Sequence, residues 1–164
     1  MREFNPNPQY KRTVEFVPVI DTREQKPYPL AGAVVDTLHH GDYSILGMEH
    51  LVTMERKSAN DLHGSLTHGR ARFRRECEAL LKYQYAAIVV EADWQSLLRP
   101  VKNSNANPES IVASLFSWSV RFRLPVFFAD DWQGGAKLVE RLLNQAARLH
   151  QEGFFQGGRN VAEG

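Results

Sequence analysis

The sequence predicts a three-layer α/β domain built around a central mixed β-sheet. Three observations lead there. Strand-like segments come early and close together, separated by turn residues, as antiparallel pairing requires. Strands and amphipathic helices then alternate, as parallel crossovers require. Two later apolar runs, 86–90 and 126–129, lack polar alternation and read as strands covered on both faces. Hydrophobic residues make up 43% of the 164, enough for one core of ordinary domain size and too many for a disordered chain.

The elements follow in order. Residues 1–13 are polar, with Pro6 and Pro8, and read as an extended arm. Residues 14–20 are mostly apolar and rich in β-branched and aromatic side chains, a buried strand ending at Asp21. Pro27 and Pro29 force a loop, and the short apolar stretch 34–38 is expected to make one or two helical turns. Residues 40–46 and 51–56 form a hairpin-like pair with Gly47 in its turn. Ser58 caps a short helix that starts at Ala59 and fades near Gly64. A longer helix spans 71–85, with Phe73, Cys77, Leu80 and Leu81 on one face. Beyond the strand 86–90, a loop with Asn103, Asn105 and Asn107 leads into a helix over 111–123. That helix has two apolar stripes, one of Ile111, Leu115, Trp118 and Phe122, the other of Val112, Phe116 and Val120. A strand at 126–129 and an amphipathic helix over 135–150 complete a folded unit of residues 14–150. Residues 151–164 are glycine-rich and read as a flexible tail.

Charge is balanced, 20 Lys and Arg against 19 Asp and Glu, which excludes nucleic-acid binding by bulk positive charge but not by a local basic patch. The single cysteine, Cys77, excludes an internal disulfide framework and a thiol-rich zinc site, and it sits on a buried stripe. His39, His40, His50, His63 and His68 match no compact zinc spacing. No apolar run approaches the ~20 residues that span a bilayer, and the start has no signal-peptide core. The expectation is a soluble protein of a reducing compartment, cytoplasmic in a prokaryotic or viral setting and nuclear in a eukaryote, with no membrane partner.

Chemistry concentrates in three short segments: D-T-R-E at 21–24, G-D-Y-S at 41–44 and E-R-K-S-A-N-D at 55–61. On a strand, side chains two apart share a face at roughly 6.5–7 Å. Glu55 and Lys57 are therefore neighbours, and Arg56 points the other way. If the hairpin forms, Asp42 lies opposite Glu55 or one pair away. Two carboxylates that close stay ionised only with positive charge between them, and a hard divalent cation suits that place. Such a cation can activate water, while Lys57 orients or deprotonates it or neutralises charge on a phosphate. An edge-strand E-R-K or a turn Asp is unremarkable alone. Together, acidic groups at several strand edges point to metal-assisted phosphodiester hydrolysis.

With these residues in view, the sequence resembles the XPF-type structure-specific DNA endonucleases, whose pattern is G-D, a variable gap, E-R-K, three residues and D. D-T-R-E, the G-S-L-T-H-G-R segment at 64–70 and A-A-I-V-V-E at 86–91 resemble that family as well. The resemblance implies a restriction-endonuclease-like fold that cuts DNA, branched or flap DNA in particular, with Mg²⁺, or Mn²⁺ as a substitute. Carried over, Asp42 and Glu55 are metal ligands, Asp21 joins the metal site or its surroundings, and Lys57 is the catalytic lysine. Arg56 and Asp61 fill the remaining motif positions and brace the site through an ion pair, while Arg23 and Glu24 complete the first motif. Arg70, with Arg72 and Arg74 in an arginine-rich helix start, is expected to contact DNA phosphates beside the active site. The family also implies a homodimer or heterodimer through the nuclease domain, and the helix at 111–123 suits that role or a fully buried one. A tandem helix-hairpin-helix module, common in the family, finds no room after this domain, so recognition of branched DNA is expected from a partner or the N-terminal arm. The alternative is a non-catalytic DNA-binding or dimerisation subunit that retains the fold. Such subunits usually have eroded motifs, and here every position is filled.

Overall fold

The computed structural model describes residues 13–101 and 104–156. Nearly all of the expected arm, and the tail beyond residue 156, lie outside the described residues. Six strands form one sheet: β1 (Pro18–Asp21), β2 (Val34–Asp36), β3 (Tyr43–Ile45), β4 (Val52–Ser58), β5 (Tyr85–Glu91) and β6 (Val126–Phe128), in the spatial order β2-β1-β3-β4-β5-β6. β3 runs antiparallel to both β1 and β4, whereas β1–β2, β4–β5 and β5–β6 are parallel pairs. The sheet is thus mixed, with its antiparallel part early in the chain and its parallel part late.

Helices cover both faces. α1 (Ala59–Leu66), α2 (Arg70–Leu80) and α3 (Pro108–Arg121) share one side; α4 (Trp132–Gln151) takes the other. The central strand β5 shows why the sandwich closes. Ala86, Ile88 and Val90 enter the core with Leu62, Phe73, Cys77, Ile111 and Leu115, while Ala87 and Val89 enter the core with Val139, Leu143 and Ala146 of α4. A strand whose two faces both meet helices has no use for polar alternation, hence its continuous apolar run. Ser58 accepts from the backbone N–H of Asp61 at the start of α1, and Asn107 and Asp131 cap α3 and α4 in the same way. No helix among the described residues is long and apolar enough to cross a membrane.

Several boundaries differ from expectation. Residues 34–36 are not helical turns but the edge strand β2, with Val34, Val35 and Asp36 paired to Val19, Ile20 and Asp21. The helix expected to reach residue 85 ends at Leu80, because Tyr85 pairs with Val52 and already begins β5. The first strand is only Pro18–Asp21, since its antiparallel partner is itself short. The folded unit also continues past His150: Phe154–Gln156 form a 3-10 turn, and Phe155 is buried in the α4-side core. On α3 the first apolar stripe is buried as expected. The second is split, with Val112 inside but Phe116 and Val120 43% and 80% exposed, so α3 is not a fully buried helix.

Candidate nuclease active site

The β3–β4 register pairs Tyr43 with Met54, and Asp42, just before β3, lines the same two openings as Glu55. The Asp42 N–H donates to Met54 O (2.8 Å), and the Arg56 N–H donates to Asp42 Oδ2 (2.7 Å), so the carboxylate is held by the backbone of the strand that carries Glu55. Gly41 makes this approach possible. Its φ is +80°, and a Cβ there would collide with Thr53 Oγ1, which donates to His40 O.

Glu55 and Lys57 share a face, as their spacing predicts. Lys57 Nζ lies 2.7 Å from Glu55 Oε1 and 3.4 Å from Glu76 Oε2, over the Phe73 ring. Burial, and then the Glu55 charge, push the Asp42 carboxyl up to about 8. Glu55 is also raised by burial, although Lys57 works against the rise. Burial opposes the Lys57 ammonium too, but attraction to Glu55 wins and holds it above the usual lysine range. The protein thus forces two acids together with one ammonium beside them. Among the described residues no three His, Cys, Asp or Glu side chains cluster as a metal site. The Asp42–Glu55 pair nevertheless fits a hard cation: it offers oxygen donors whose mutual repulsion a divalent charge would relieve.

A stability prediction follows from the raised Asp42. A carboxyl whose folded pKa, about 8, exceeds its ordinary 3.8 contributes stability that is fully present below about pH 4 and is lost as pH rises through about 8. Asp42→Asn is therefore expected to raise the melting temperature in EDTA, with a wider margin over wild type at pH 8 than at pH 5. Calorimetry at the two pH values checks this; an equal or reversed margin would refute the electrostatic account.

Asp21 takes a different part. Arg23 Nε donates to its Oδ1 (2.6 Å), Arg23 Nη2 and the Leu38 N–H donate to Oδ2 (3.1 and 2.8 Å), and the Arg23 N–H donates to Oδ1 (2.9 Å). Burial tends to raise Asp21, but these bonds outweigh it and lower its pKa. Both oxygens are occupied, so Asp21 anchors Arg23 at the rim. Glu24 lines the cleft together with Arg56, whose Nη1 donates to it at 3.0 Å. Arg56 also forks onto Glu91 (2.6 and 3.1 Å), whose Oε1 accepts the Tyr28 hydroxyl (2.8 Å). The expected Arg56–Asp61 brace is replaced by these two pairs. Asp61 is exposed and joins the Ser58 cap, accepting from Ser58 Oγ at 2.6 Å. Strand alternation sends Arg56 to the side of β4 opposite Glu55 and Lys57.

The cleft in front of the pair has a volume of about 560 Å³. Asp42, Glu55 and Lys57 line it with Arg23, Glu24, Lys26, Arg56, Asp61, His68 and Arg72, so most of the predicted site residues meet there. Asp42 and Glu55 also line a second opening of about 250 Å³ with Asp21, His39, His40 and Glu76. Of the three arginines expected beside the site, Arg72 reaches the cleft, while Arg70 and Arg74 line a separate groove. Glu76 and Glu91 are site partners the sequence reading missed. Glu91 stood at the end of the apolar run 86–91 and pairs across from Ser58; Glu76 carries no local signal, because only the docking of α2 brings it to Lys57.

A mixed sheet between helical layers, with paired acids and a lysine in one charged cleft, has the layout of an α/β nuclease-type domain. Solved structures agree on the fold. The chain is similar to XPF from Aeropyrum pernix in complex with DNA, with a TM-score of 0.64 and 21% identity over 82% of this chain. It is likewise similar to XPF from the same organism, with a TM-score of 0.62 and 21% identity over 80% of this chain. It spans 66% and 61% of those two chains, under two thirds of each. A search of curated proteins finds no match. The ERCC4 domain model matches residues 20–151, and the chain belongs to this family of XPF-type nucleases.

Proposed function

We propose that this protein is a metal-dependent DNA endonuclease that hydrolyses phosphodiester bonds in branched or flap DNA. The observation that carries the reading is the Asp42 and Glu55 carboxylates lining one cleft with Lys57 bonded to Glu55. Asp42 and Glu55 would hold Mg²⁺ or Mn²⁺, which supplies Lewis-acid polarisation of the scissile phosphate when bound. Lys57 sits where it can neutralise charge building on the phosphate, and Glu76 keeps a hold on its ammonium if Glu55 turns to a cation. Arg23, Lys26 and Arg72 in the cleft bind and orient the phosphate backbone. Against a non-catalytic subunit stands the completeness of this arrangement, since a binding module gains nothing from two repelling acids. Cleavage of labelled flap, fork, duplex and single-stranded DNA, with Mg²⁺ or EDTA, tests the reading. Mg²⁺-dependent cutting favouring flaps or forks is expected. No cutting of any substrate would leave the binding subunit, and equal cutting of plain duplex would remove the branch preference.

The second part of the proposal is a dimer through α3. Phe116 and Val120 stand exposed one turn apart on the same helix face, more apolar surface than an exposed helix needs. Val120→Glu is expected to shift the sedimenting mass from dimer to monomer. A wild-type protein that sediments as a monomer at all concentrations would contradict this.

A further inference from the structure

A separate groove of about 520 Å³ is lined by residues of α2 and by the C-terminal part of α3 with Phe122. Arg70, Arg74 and Arg121 line it with Ala71 and Ser117, over Trp118 and Phe122, and no acidic side chain is among its lining residues. Arg70 lies over the Trp118 ring at 4.8 Å and donates to Ser114 Oγ at 2.9 Å, so its guanidinium is fixed rather than free to wander. Arg74 pairs with Glu78 at 3.0 Å on the surface, a contact that solvent screens and a phosphate can displace. Arg121 makes no ion pair among the described residues. In a chain with a formal net charge of +1, three arginines on one trench repel one another unless an anion joins them.

We infer that this groove binds phosphates of the substrate DNA strand beyond the cleavage point. The shape suits a sugar–phosphate backbone. The small side chains of Ala71 and Ser117 keep the trench open, and its arginines meet phosphates. Arg72 faces the cleft while Arg70 and Arg74 face the groove, so one strand crossing the start of α2 can touch both. A helix is roughly 10 Å across, which is about three nucleotides at the 3.4 Å spacing of a B-form strand. This rests on the nuclease reading above and adds a position for the strand to it.

The test uses the full chain and DNA whose cut site has been mapped with wild type and Mg²⁺. Binding is then measured in EDTA by fluorescence anisotropy across a salt series. One probe extends well past the cut on both sides; others stop about three nucleotides short of it on either side. Arg121→Ala is expected to weaken binding of the long probe roughly three- to tenfold and to reduce the salt slope by about 0.9. One truncated probe should bind wild type and variant alike. Ser117→Glu, which keeps every arginine but sets a carboxylate one helical turn before Arg121, should reproduce the loss. Equal weakening on every probe, or none, would overturn the proposal. So would a changed sedimenting mass with an unchanged salt slope, which would assign the groove to a second copy of the chain. If wild type cuts DNA and the variants match it, only the groove is refuted; if wild type neither binds nor cuts DNA, the nuclease reading itself fails and takes the groove with it.

Discussion

Asp42→Ala and Glu55→Ala are each expected to lower DNA cleavage by roughly 10³-fold or more, the scale of removing a group that stabilises charge in a preorganised site. Binding to uncleaved DNA should hardly change, because the phosphate-facing charges belong to Arg23, Lys26 and Arg72 in the cleft. Folding should survive as well. Asp42 is destabilised by burial and by the Glu55 charge, so Asp42→Ala removes a strained charge, whereas Glu55→Ala leaves the Lys57 ammonium to Glu76 alone and lowers stability modestly. Lost cutting with retained binding, and for Asp42→Ala an unchanged or raised melting temperature, separates a catalytic pair from a structural one. Calorimetric titration with Mn²⁺ gives a second readout, in which each variant should lose most of the wild-type heat. A variant that cuts at the wild-type rate would remove the Asp42–Glu55 assignment whatever its stability.

The site was legible to the extent that its chemistry follows strand geometry. The Glu55–Lys57 neighbourhood and the opposite direction of Arg56 follow from a period of two. That Asp42 comes near Glu55 needed only the strand pairing of β3 with β4, and both side chains line one cleft. What could not be read depends on elements distant in sequence. Glu76 reaches Lys57 because α2 docks against β4, and nothing local marks it. Arg70 and Arg72 look equivalent in the sequence, yet two residues on a helix turn by about 200°, which sends one to the groove and the other to the cleft. Residues 34–38 misled for another reason. A short apolar run carries no period to tell helix from strand, and its two valines, as strand formers, were the better guide. The arginine-rich start of α2 has no side-chain cap and no acid in its first turn. That pattern is poor for an isolated helix and reasonable beside an anion.

The other large effect falls on Arg56, and it should be opposite in kind. The side chains of Arg56, Glu24 and Glu91 are 14%, 6% and 9% exposed, so one guanidinium holds two nearly buried carboxylates together. Removing the cation from such a cluster leaves the acids uncompensated, which typically costs about 3–5 kcal/mol. For a domain of this size that is a fall of roughly 10 °C in melting temperature. Arg56→Met, which keeps an aliphatic stem but loses the guanidinium that lies over the Tyr28 ring, is therefore expected to unfold early in thermal and urea melts. A companion change, Glu91→Gln, removes one stranded charge while an amide oxygen can still accept the Tyr28 hydroxyl, so the double variant should regain part of the loss. Mn²⁺ binding by the folded fraction should persist, since Asp42 is held by the backbone N–H of residue 56 and not by its side chain. If Arg56→Met melts within about 1 kcal/mol of wild type yet fails to cut, the argument inverts. Arg56 would then act on the substrate, and its pairing with Glu24 and Glu91 would be a resting arrangement that DNA displaces.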